Sequence, residues 1–309
     1  MKLRQLRFFV KVVETGNITR AADQLNVAQT AIGVQMRNLE EDLRVKLLER
    51  HSRGVRPTLA GTQLYERAVQ ILRQIEETQR EIRAFASEKS PIRFGATPSV
   101  LKTIGADLIV VAREVMPEVE LHVIEELSFL LVDALNRGDL DFALVYDIQE
   151  TPGLRRIPLL QEDLLHISGP GFGEKYGFGE EITLKNALSG DLALVSERDV
   201  IWQMVYDAAA HLSMEVNTSY RVQSMQGIKT LIQHGIAQSI MPYGIVADQI
   251  RAGELEGRRL VRPPLSLTLF LAYSEQRHRP EDVEQMQVFV ERIIALLAHR
   301  IGPYAHLVI

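Results

Sequence analysis

The chain has 309 residues, 46% of them hydrophobic, and a formal net charge of −5 at pH 7. This length suffices for two or three packed domains. The absence of cysteine excludes disulfide bonds, thiolate nucleophiles and sulfur metal sites. No run approaches the ~18 apolar residues of a membrane-spanning helix, and charges interrupt the N-terminus too often for a signal peptide. We therefore expect a cytoplasmic protein without membrane contacts.

The charge is unevenly distributed. Residues 1–60 hold eleven Lys and Arg against six Asp and Glu. Because the whole chain is negative, the remainder is strongly acidic. A basic head on an acidic body indicates that the head contacts a polyanion, although chance variation of surface charge would give the same count.

Three helices are predicted in the head. Apolar residues at helical spacing predict a first helix over residues 3–15, which Thr15-Gly16-Asn17 ends. A short second helix follows Thr19 as its N-cap, and a turn at residues 26–28 leads to a third helix from about Gln29. The inward-facing residues of this third helix are Ile32, Met36, Leu39 and Leu43.

The second and third helices have the spacing of a helix-turn-helix, in which the third helix enters the major groove of DNA. A hairpin, or wing, closed around Arg53-Gly54 follows, and its arginines suit phosphates or a narrow minor groove. The alternative is a three-helix packing unit with a solvated basic loop. Arginines on the wing are Arg50, Arg53 and Arg56.

A long helix is predicted next, because residues 62–90 contain no Gly or Pro. Apolar residues alternate at spacings of four and three, which is the pattern of a coiled-coil seam. A second copy of the chain is the simplest partner, since two DNA half-sites need a two-fold protein; packing on the chain's own body is the alternative. The seam comprises Leu64, Ala68, Ile71, Ile75, Thr78, Ile82 and Phe85.

Two segments of the head, AADQLNVAQTAI and LERHSRGVRPTLAG, resemble the N-terminal domain of LysR-type transcriptional regulators. Within that family the chain resembles the branch that contains regulators of nitrogen assimilation control and of the cysteine regulon. The resemblance is strong to about residue 65 and weaker afterwards. It implies a winged helix-turn-helix at 1–58, a linker helix at 59–90 and a two-lobed effector domain like a periplasmic binding protein at 91–309.

The resemblance also implies the DNA-contacting positions. Ala28, Thr30, Gly33 and Val34 depart from residues that are common in the family, so the target sequence is not predicted. The DNA-binding set is Gln29, Thr30, Gly33, Val34 and Arg37 on the helix, with Arg50, Arg53 and Arg56 on the wing.

The body from residue 91 shows short apolar runs that alternate with amphipathic stretches, which predicts an α/β sheet. We expect lobe I to comprise 91–163 and 268–309, and lobe II to comprise 164–267. Strands are predicted at 92–96, 119–124, 141–146, 192–195, 220–222, 236–241 and 267–273.

A ligand site is expected where helices start at the carboxyl ends of these strands. Such starts are Thr97-Pro98-Ser99, Leu127-Ser128-Phe129 and Ser224-Met225-Gln226. The resemblance implies that Thr97 and Ser99 donate hydroxyls to a small-molecule effector; capping without a ligand is the alternative. Further candidates are Phe129, Tyr146, Ser196 and Trp202, the last of which core packing would also explain.

No catalytic, cofactor or metal motif is complete. The glycine-rich segment 169–179 lacks the Gly-Lys-Ser/Thr ending of a phosphate loop, and the histidines show no metal-ligand spacing. We therefore expect a ligand-responsive regulator that binds double-stranded DNA as a homodimer or homotetramer, with RNA polymerase as a possible further partner. The alternative is a solute-binding module or enzyme whose head serves only assembly.

Overall fold

A computed structural model describes residues 1–51, 54–84, 90–218, 220–275 and 280–308. Its contacts divide the chain into two units, Met1–Glu88 and Lys89–Ile309. The first unit contains α1 (Leu3–Thr15), α2 (Ile18–Gln24), α3 (Gln29–Leu43), β1 (Leu48–His51), β2 (Gly54–Pro57) and α4 (Leu59–Ala84).

The helical core of the first unit follows the predicted pattern. Ile32, Met36 and Leu39 of α3 are buried, together with Phe9 and Val12 of α1. Two details of the prediction are wrong. Asn17, not Thr19, caps α2, because its Oδ1 accepts the N–H groups of Thr19 and Arg20 at 2.9 and 3.1 Å. Leu43 is 39% exposed, since α3 ends there.

The wing is the antiparallel hairpin of β1 and β2. It is fastened to the end of α1, because the N–H of Val55 donates to the carbonyl of Gly16 at 2.8 Å. Gly54 has φ +142, and a Cβ there would lie 2.3 Å from that same carbonyl oxygen. A side chain at position 54 would therefore push the wing off the helices.

The second unit is built on one long strand. Its elements are β3 (Ser90–Ala96), α5 (Pro98–Val115), β4 (Val119–Glu125), α6 (Ser128–Arg137), β5 (Phe142–Tyr146), β6 (Leu154–Ser168), α7 (Phe172–Tyr176), β7 (Glu181–Thr183), α8 (Leu184–Leu188), β8 (Ala193–Leu194), α9 (Val200–His211), β9 (Tyr220–Arg221), α10 (Met225–Gln233), β10 (Ser239–Pro242), α11 (Tyr243–Arg251), β11 (Glu256–Val261), β12 (Ser266–Ser274), α12 (Pro280–Ile301), a 3-10 turn (Gly302–Tyr304) and β13 (Ala305–Leu307).

Strand β6 belongs to both halves of this unit. From Leu154 to Asp163 it pairs with β12, and β13 pairs with its residues 160–162. From Leu164 to Ser168 its partners are β10 and β11 instead. The partners of β6 therefore change between Asp163 and Leu164. The chain returns from the second half to the first through the short connection from β11 to β12. Strands β4, β3 and β5 complete the first half, and β7 completes the second.

Each of the seven strands predicted in the body is present, with ends shifted by at most three residues. The strands β6, β7, β11 and β13 were not predicted. No described helix is both long and apolar enough to cross a membrane.

Candidate nucleic-acid interface and ligand groove

The face of α3 opposite to the core is open to solvent. Gln29, Thr30, Val34 and Arg37 are exposed, and Gly33 is half-buried. A Cβ built on Gly33 would meet no atom within 4 Å, so the head does not require a glycine there. The arrangement presents small and polar groups with one guanidinium, which is the surface that a recognition helix needs.

The wing adds polar groups beside this helix. Arg56 on β2 is exposed and pairs with Glu49 on β1 at 2.9 Å. Arg53 and the side chain of Arg50 lie outside the described residues, so the predicted row of wing arginines is described only at Arg56.

Glu40 at the end of α3 fixes the start of the wing. Its carboxylate accepts the N–H groups of Leu47 and Leu48 at 2.9 and 3.2 Å and pairs with Lys46 at 2.7 Å. Burial opposes its charge, but the Lys46 ammonium and the two N–H groups outweigh burial and hold the pKa of Glu40 below its usual value. A cavity of about 450 Å³ lies between α3 and the wing, lined by Gly33, Arg37 and Lys46 among others.

The predicted seam of α4 has two parts. Ala68 is fully buried within its own chain, and Leu64 packs against the core of the head. Both positions thus have contacts within the chain, and their role in pairing between copies stays a prediction. Ile71 and Ile75 are half-buried and Ile82 is 64% exposed, whereas Phe85 lies outside the described residues.

A groove of about 1040 Å³ separates the two halves of the second unit. We call it the interlobe groove. Its lobe I wall includes Ser128, Phe129, Val132, Asp133, Tyr146, Asp147, Ile148, Arg156 and Phe270. Its lobe II wall includes Arg198, Val200, Gln203, Met204, Asp207, Ala208, His211 and Leu265. The predicted candidates Phe129 and Tyr146 are in this lining.

Thr97 and Ser99 are not among the described lining residues of this groove, and their role as effector contacts stays a prediction. They are 5% and 4% exposed, and Pro98 between them begins α5. Thr97 Oγ1 lies 3.3 Å from Ser99 Oγ, and Ser99 Oγ donates to the Tyr146 hydroxyl at 3.3 Å. The Tyr146 hydroxyl in turn donates to Glu162 Oε2 at 2.5 Å. The hydroxyls thus serve a buried chain of hydrogen bonds.

Trp202 and Ser196 are also absent from the described lining. The indole of Trp202 stacks on Tyr206 with centroids 3.7 Å apart and packs against the core, so the packing alternative holds for this residue. Ser196 Oγ accepts the N–H of Arg198 at 3.3 Å and shapes the loop before α9.

Arg198 bridges the groove from lobe II to lobe I. Its guanidinium lies over the Phe129 ring at 4.4 Å and pairs with Asp133 at 3.2 Å. Arg156, the other arginine in the described lining, donates to the carbonyl of Ile148 at 2.6 Å and to Glu150 at 3.1 Å. Both guanidinium groups therefore have acceptors within the chain.

The glycine-rich segment binds an internal anion. The N–H groups of Gly171 and Gly173 donate to the Glu256 carboxylate at 2.8 and 3.0 Å, and Arg258 pairs with the same carboxylate. The segment contains the short helix α7, not the predicted loop throughout. Among the described residues, no group of three or more His, Cys, Asp and Glu could hold a metal ion.

Sequence reasoning did not single out Glu162, Glu256, Arg198 or Asp133. The first two lie on strands that were not predicted, and their partners come from distant parts of the chain. A charged residue inside an otherwise apolar stretch, such as Glu162 in LLQEDLLHI, is the one signal that could have indicated a buried acid.

Two family models match the chain. Residues 3–62 match the model described as "Bacterial regulatory helix-turn-helix protein, lysR family". Residues 86–297 match the model described as "LysR substrate binding domain". Together they span most of both units.

Individual proteins give the same result. The chain is 29% identical to the nitrogen assimilation regulatory protein nac of Klebsiella aerogenes over 276 residues, 89% of each protein. It is 29% identical to the HTH-type transcriptional regulator BbuR of Bordetella bronchiseptica, over 96% of this chain and 90% of that protein. The fold matches full-length CbnR, solved in complex with its target DNA, with a TM-score of 0.66 and 24% identity over 95% of this chain and all of that one (100%). Full-length BenM matches with a TM-score of 0.59 and 24% identity, over 98% and 100% of the two chains.

Proposed function

The chain belongs to the LysR family of bacterial transcriptional regulators, and from this premise we propose which of its residues read DNA, pair subunits and sense a ligand. Like its relatives, the protein is a regulator and not an enzyme. It binds DNA and responds to a ligand.

We assign DNA contact to the exposed face of α3 and to the wing. Gln29, Thr30, Gly33 and Val34 face the base edges, since they lie on the solvent side of the helix after the turn. Arg37 and the wing arginines Arg50, Arg53 and Arg56 contact phosphates or a minor groove. The observation that carries this assignment is the open, small-residue face of α3 beside a basic hairpin.

Pairing between copies is assigned to the distal part of α4. Ile71, Ile75 and Ile82 keep exposed surface within the single chain, and Phe85 continues the same spacing in sequence. A symmetric pair of α4 helices would place two heads on two half-sites. We propose a homodimer as the minimum unit, with a homotetramer as the larger assembly.

The interlobe groove is the proposed effector site. Its two walls come from parts of the chain that β6 and the β11–β12 connection join, so a ligand that contacts both walls favours one arrangement of the lobes. That preference shifts the DNA-bound oligomer toward the favoured arrangement of the lobes. The shift in turn changes the bending of DNA or the contact with RNA polymerase.

The domain division expected from the sequence, 1–58, 59–90 and 91–309, stays our proposal, with lobe I at 91–163 and 268–309 and lobe II at 164–267. The change of β6 partners after Asp163 supports the boundary between the lobes. We place the protein in the cytoplasm because its DNA target is there.

A gel-shift titration tests DNA binding. The probe is the DNA just upstream of the protein's own coding region, and unrelated DNA of equal length is the competitor, with salt varied. We expect Arg37→Ala to weaken binding and to reduce the slope of log affinity against log salt by about 0.9, the value for one phosphate contact. Arg137→Ala is the matched control, since Arg137 is an exposed arginine on α6.

Two outcomes of this titration would count against the proposal. An unchanged salt slope in Arg37→Ala removes this arginine from the interface. Equal affinity of the unaltered protein for upstream and unrelated DNA would favour the alternative that the head serves only assembly.

A further inference from the structure

Glu162 is a carboxylate with no solvent exposure, placed next to the point where β6 changes partners. Its Oε2 accepts the Tyr146 hydroxyl hydrogen, and that hydroxyl accepts a hydrogen bond from Ser99 in the first turn of α5. Its Oε1 is buried without a hydrogen bond of standard geometry. Lobe I thus supplies two hydroxyls on one side of this acid.

Lobe II supplies the start of α11 on the other side. The peptide N–H groups of Tyr243 and Gly244 face the Glu162 carboxylate and stabilise its charge. A Cβ on Gly244 would lie 2.4 Å from Thr103 Oγ1 and 3.2 Å from the Ser99 carbonyl oxygen. The first turn of α11 is therefore pressed against the first turns of α5, with Glu162 beside both.

The N-termini of helices attract anions, because their free N–H groups and the helix dipole favour negative charge. In open α/β sheets, this end of the strands is also where ligands bind. Here the first turns of α5 and α11 meet, one from each lobe, and the anion beside them is part of the chain. A tethered carboxylate competes with free anions at a high effective concentration.

We propose that Glu162 is a built-in anion, occupying the place in which a free carboxylate would otherwise join the two lobes, so that this end of the interlobe groove excludes anionic ligands. The inference rests on the proposed effector role of the groove and names its ligand class: a molecule that presents an uncharged or cationic group toward Tyr146.

The remaining charges of the groove agree with this assignment. Arg198 is held by Asp133 and Phe129, and Arg156 by Glu150 and the Ile148 carbonyl. The acids Asp147 and Asp207 line the same groove. A carboxylate ligand would therefore compete with existing acceptors for both guanidinium groups and would approach further negative charge.

The acids near Glu162 also raise the cost of a second anion. Burial, followed by the charge of Asp163, raises the pKa of Glu162 to about 7, although the Tyr146 hydroxyl and the N–H groups of Tyr243 and Gly244 act in the opposite direction. Tyr146 and Asp147 are the titratable groups on the lobe I side. The surroundings of Glu162 thus disfavour even one negative charge, and a second would be more unfavourable still.

Chemical rescue of the full-length protein tests the proposal. Glu162→Ala removes the carboxylate but leaves the N–H groups and the Tyr146 hydroxyl, so acetate should fit in its place. We expect Glu162→Ala to melt below the unaltered protein and to regain at least half of that loss at about 100 mM acetate, measured against equal chloride. The unaltered protein and Leu160→Ala should not respond, since Leu160 is a buried residue of the same strand whose removal leaves an apolar cavity.

The proposal is overturned if acetate stabilises the unaltered protein as much as Glu162→Ala, or if Glu162→Ala responds no more than Leu160→Ala. Should Glu162→Ala fail to fold, Glu162→Gln gives the answer with benzoate as the probe. At about pH 8.5, where Glu162 is ionised, benzoate should bind Glu162→Gln about tenfold more tightly than the unaltered protein, because a repulsive charge is gone. Equal binding, or none in either protein, overturns the proposal. Upstream DNA binding, measured in parallel, reports separately on the regulator function.

Discussion

Glu162 and His166 lie four residues apart on β6, and both are fully buried. Burial, with the Asp163 charge, raises the pKa of Glu162 from its usual 4.5 to about 7. Burial lowers the pKa of His166 from 6.5 to about 4. The hydrogen bond between its ring and Gln238 raises the pKa, whereas the nearby Arg258 charge lowers it further. Compared with the unfolded chain, the folded state therefore favours the uncharged form of both residues, and Glu162 still carries its charge above about pH 7.

The two residues have opposite effects on stability as pH changes. The folded state holds the Glu162 proton more tightly than the unfolded chain, so this contribution falls as pH rises from 4.5 to 7. The unfolded chain protonates His166 first, so that contribution falls as pH drops from 6.5 to 4. Each is worth about 3 kcal/mol over its range. Between pH 4.5 and 6.5 the two slopes cancel.

Replacing one of the two residues reveals the pH dependence of stability that the other one causes. Glu162→Gln should gain stability with rising pH between 4.5 and 6.5, by about 1 kcal/mol per pH unit, whereas His166→Asn should lose stability over the same range. Urea unfolding at several pH values, followed by circular dichroism, measures both. His122→Gln, at an exposed site on β4, is the control and should keep the profile of the unaltered protein. Parallel profiles for all three variants would contradict this account.

Two glycines of the head differ in what they serve. A Cβ on Gly61 would lie 2.1 Å from the Leu47 carbonyl oxygen, whereas a Cβ on Gly33 meets nothing within 4 Å. Gly61→Ala should therefore destabilise the head by about 2 kcal/mol. Gly33→Ala should stabilise it by about 0.5–1 kcal/mol, because glycine is a poor helix former.

The same pair tests the recognition face of α3. If bases lie against Gly33, the stabilised Gly33→Ala protein should bind upstream DNA more weakly, a loss that instability cannot explain. Thermal unfolding and gel shifts on the same samples measure the two effects. Unchanged DNA affinity in Gly33→Ala would place the base edges elsewhere.

At the scale of elements, α4 offers a test of assembly. Ile82 is 64% exposed in the single chain, and burying it in a symmetric pair would contribute about 3 kcal/mol from the two copies together. Ile82→Lys should shift sedimentation from dimer toward monomer and weaken binding to paired half-sites. Gln79→Lys, on an exposed neighbouring position, should do neither. Identical sedimentation of both variants would exclude this stretch from the interface.

Helices were more predictable than the central strand. The bounds of α1 and the start of α3 follow from local apolar spacing and from turn residues, which act within the segment itself. Strand β6 contains Pro158, Glu162 and Asp163, which argue locally against a buried strand. Its neighbours β12 and β13 lie more than a hundred residues later, so β6 is a strand only because of the tertiary fold.

The site shows the same limit. The sequence predicts that Thr97 and Ser99 start a helix, and they do. It does not predict that Tyr146 and Glu162 take up the Ser99 hydroxyl, because those partners are 47 residues away and beyond. Local chemistry identifies the helix start, whereas packing decides whether a ligand can reach it.

At the scale of the whole molecule, Arg198 links lobes that must move if a ligand is to act. The Arg198–Asp133 pair is exposed, so Arg198→Ala should cost less than about 1 kcal/mol of stability. It should nevertheless change the output of a promoter reporter without ligand, because the balance between lobe arrangements shifts. DNA affinity should remain unchanged.

The control for this variant is Arg137→Ala, which breaks an equally exposed pair with Asp139 inside lobe I. Its reporter output should match the unaltered protein. Equal effects of the two substitutions would mean that Arg198 has no role in coupling the lobes.

The continuity of β6 constrains how such a motion can proceed. Residues 154–163 pair with one set of strands and residues 164–168 with another. No loop separates these two parts of β6. The lobes are consequently joined at two places, between Asp163 and Leu164 within β6 and at the connection from β11 to β12, and a change in their relative orientation has to be taken up there. Glu162 lies beside the first of these joints, so a few degrees of rotation would change its distance from the start of α11 in lobe II, whereas the start of α5 would move with it.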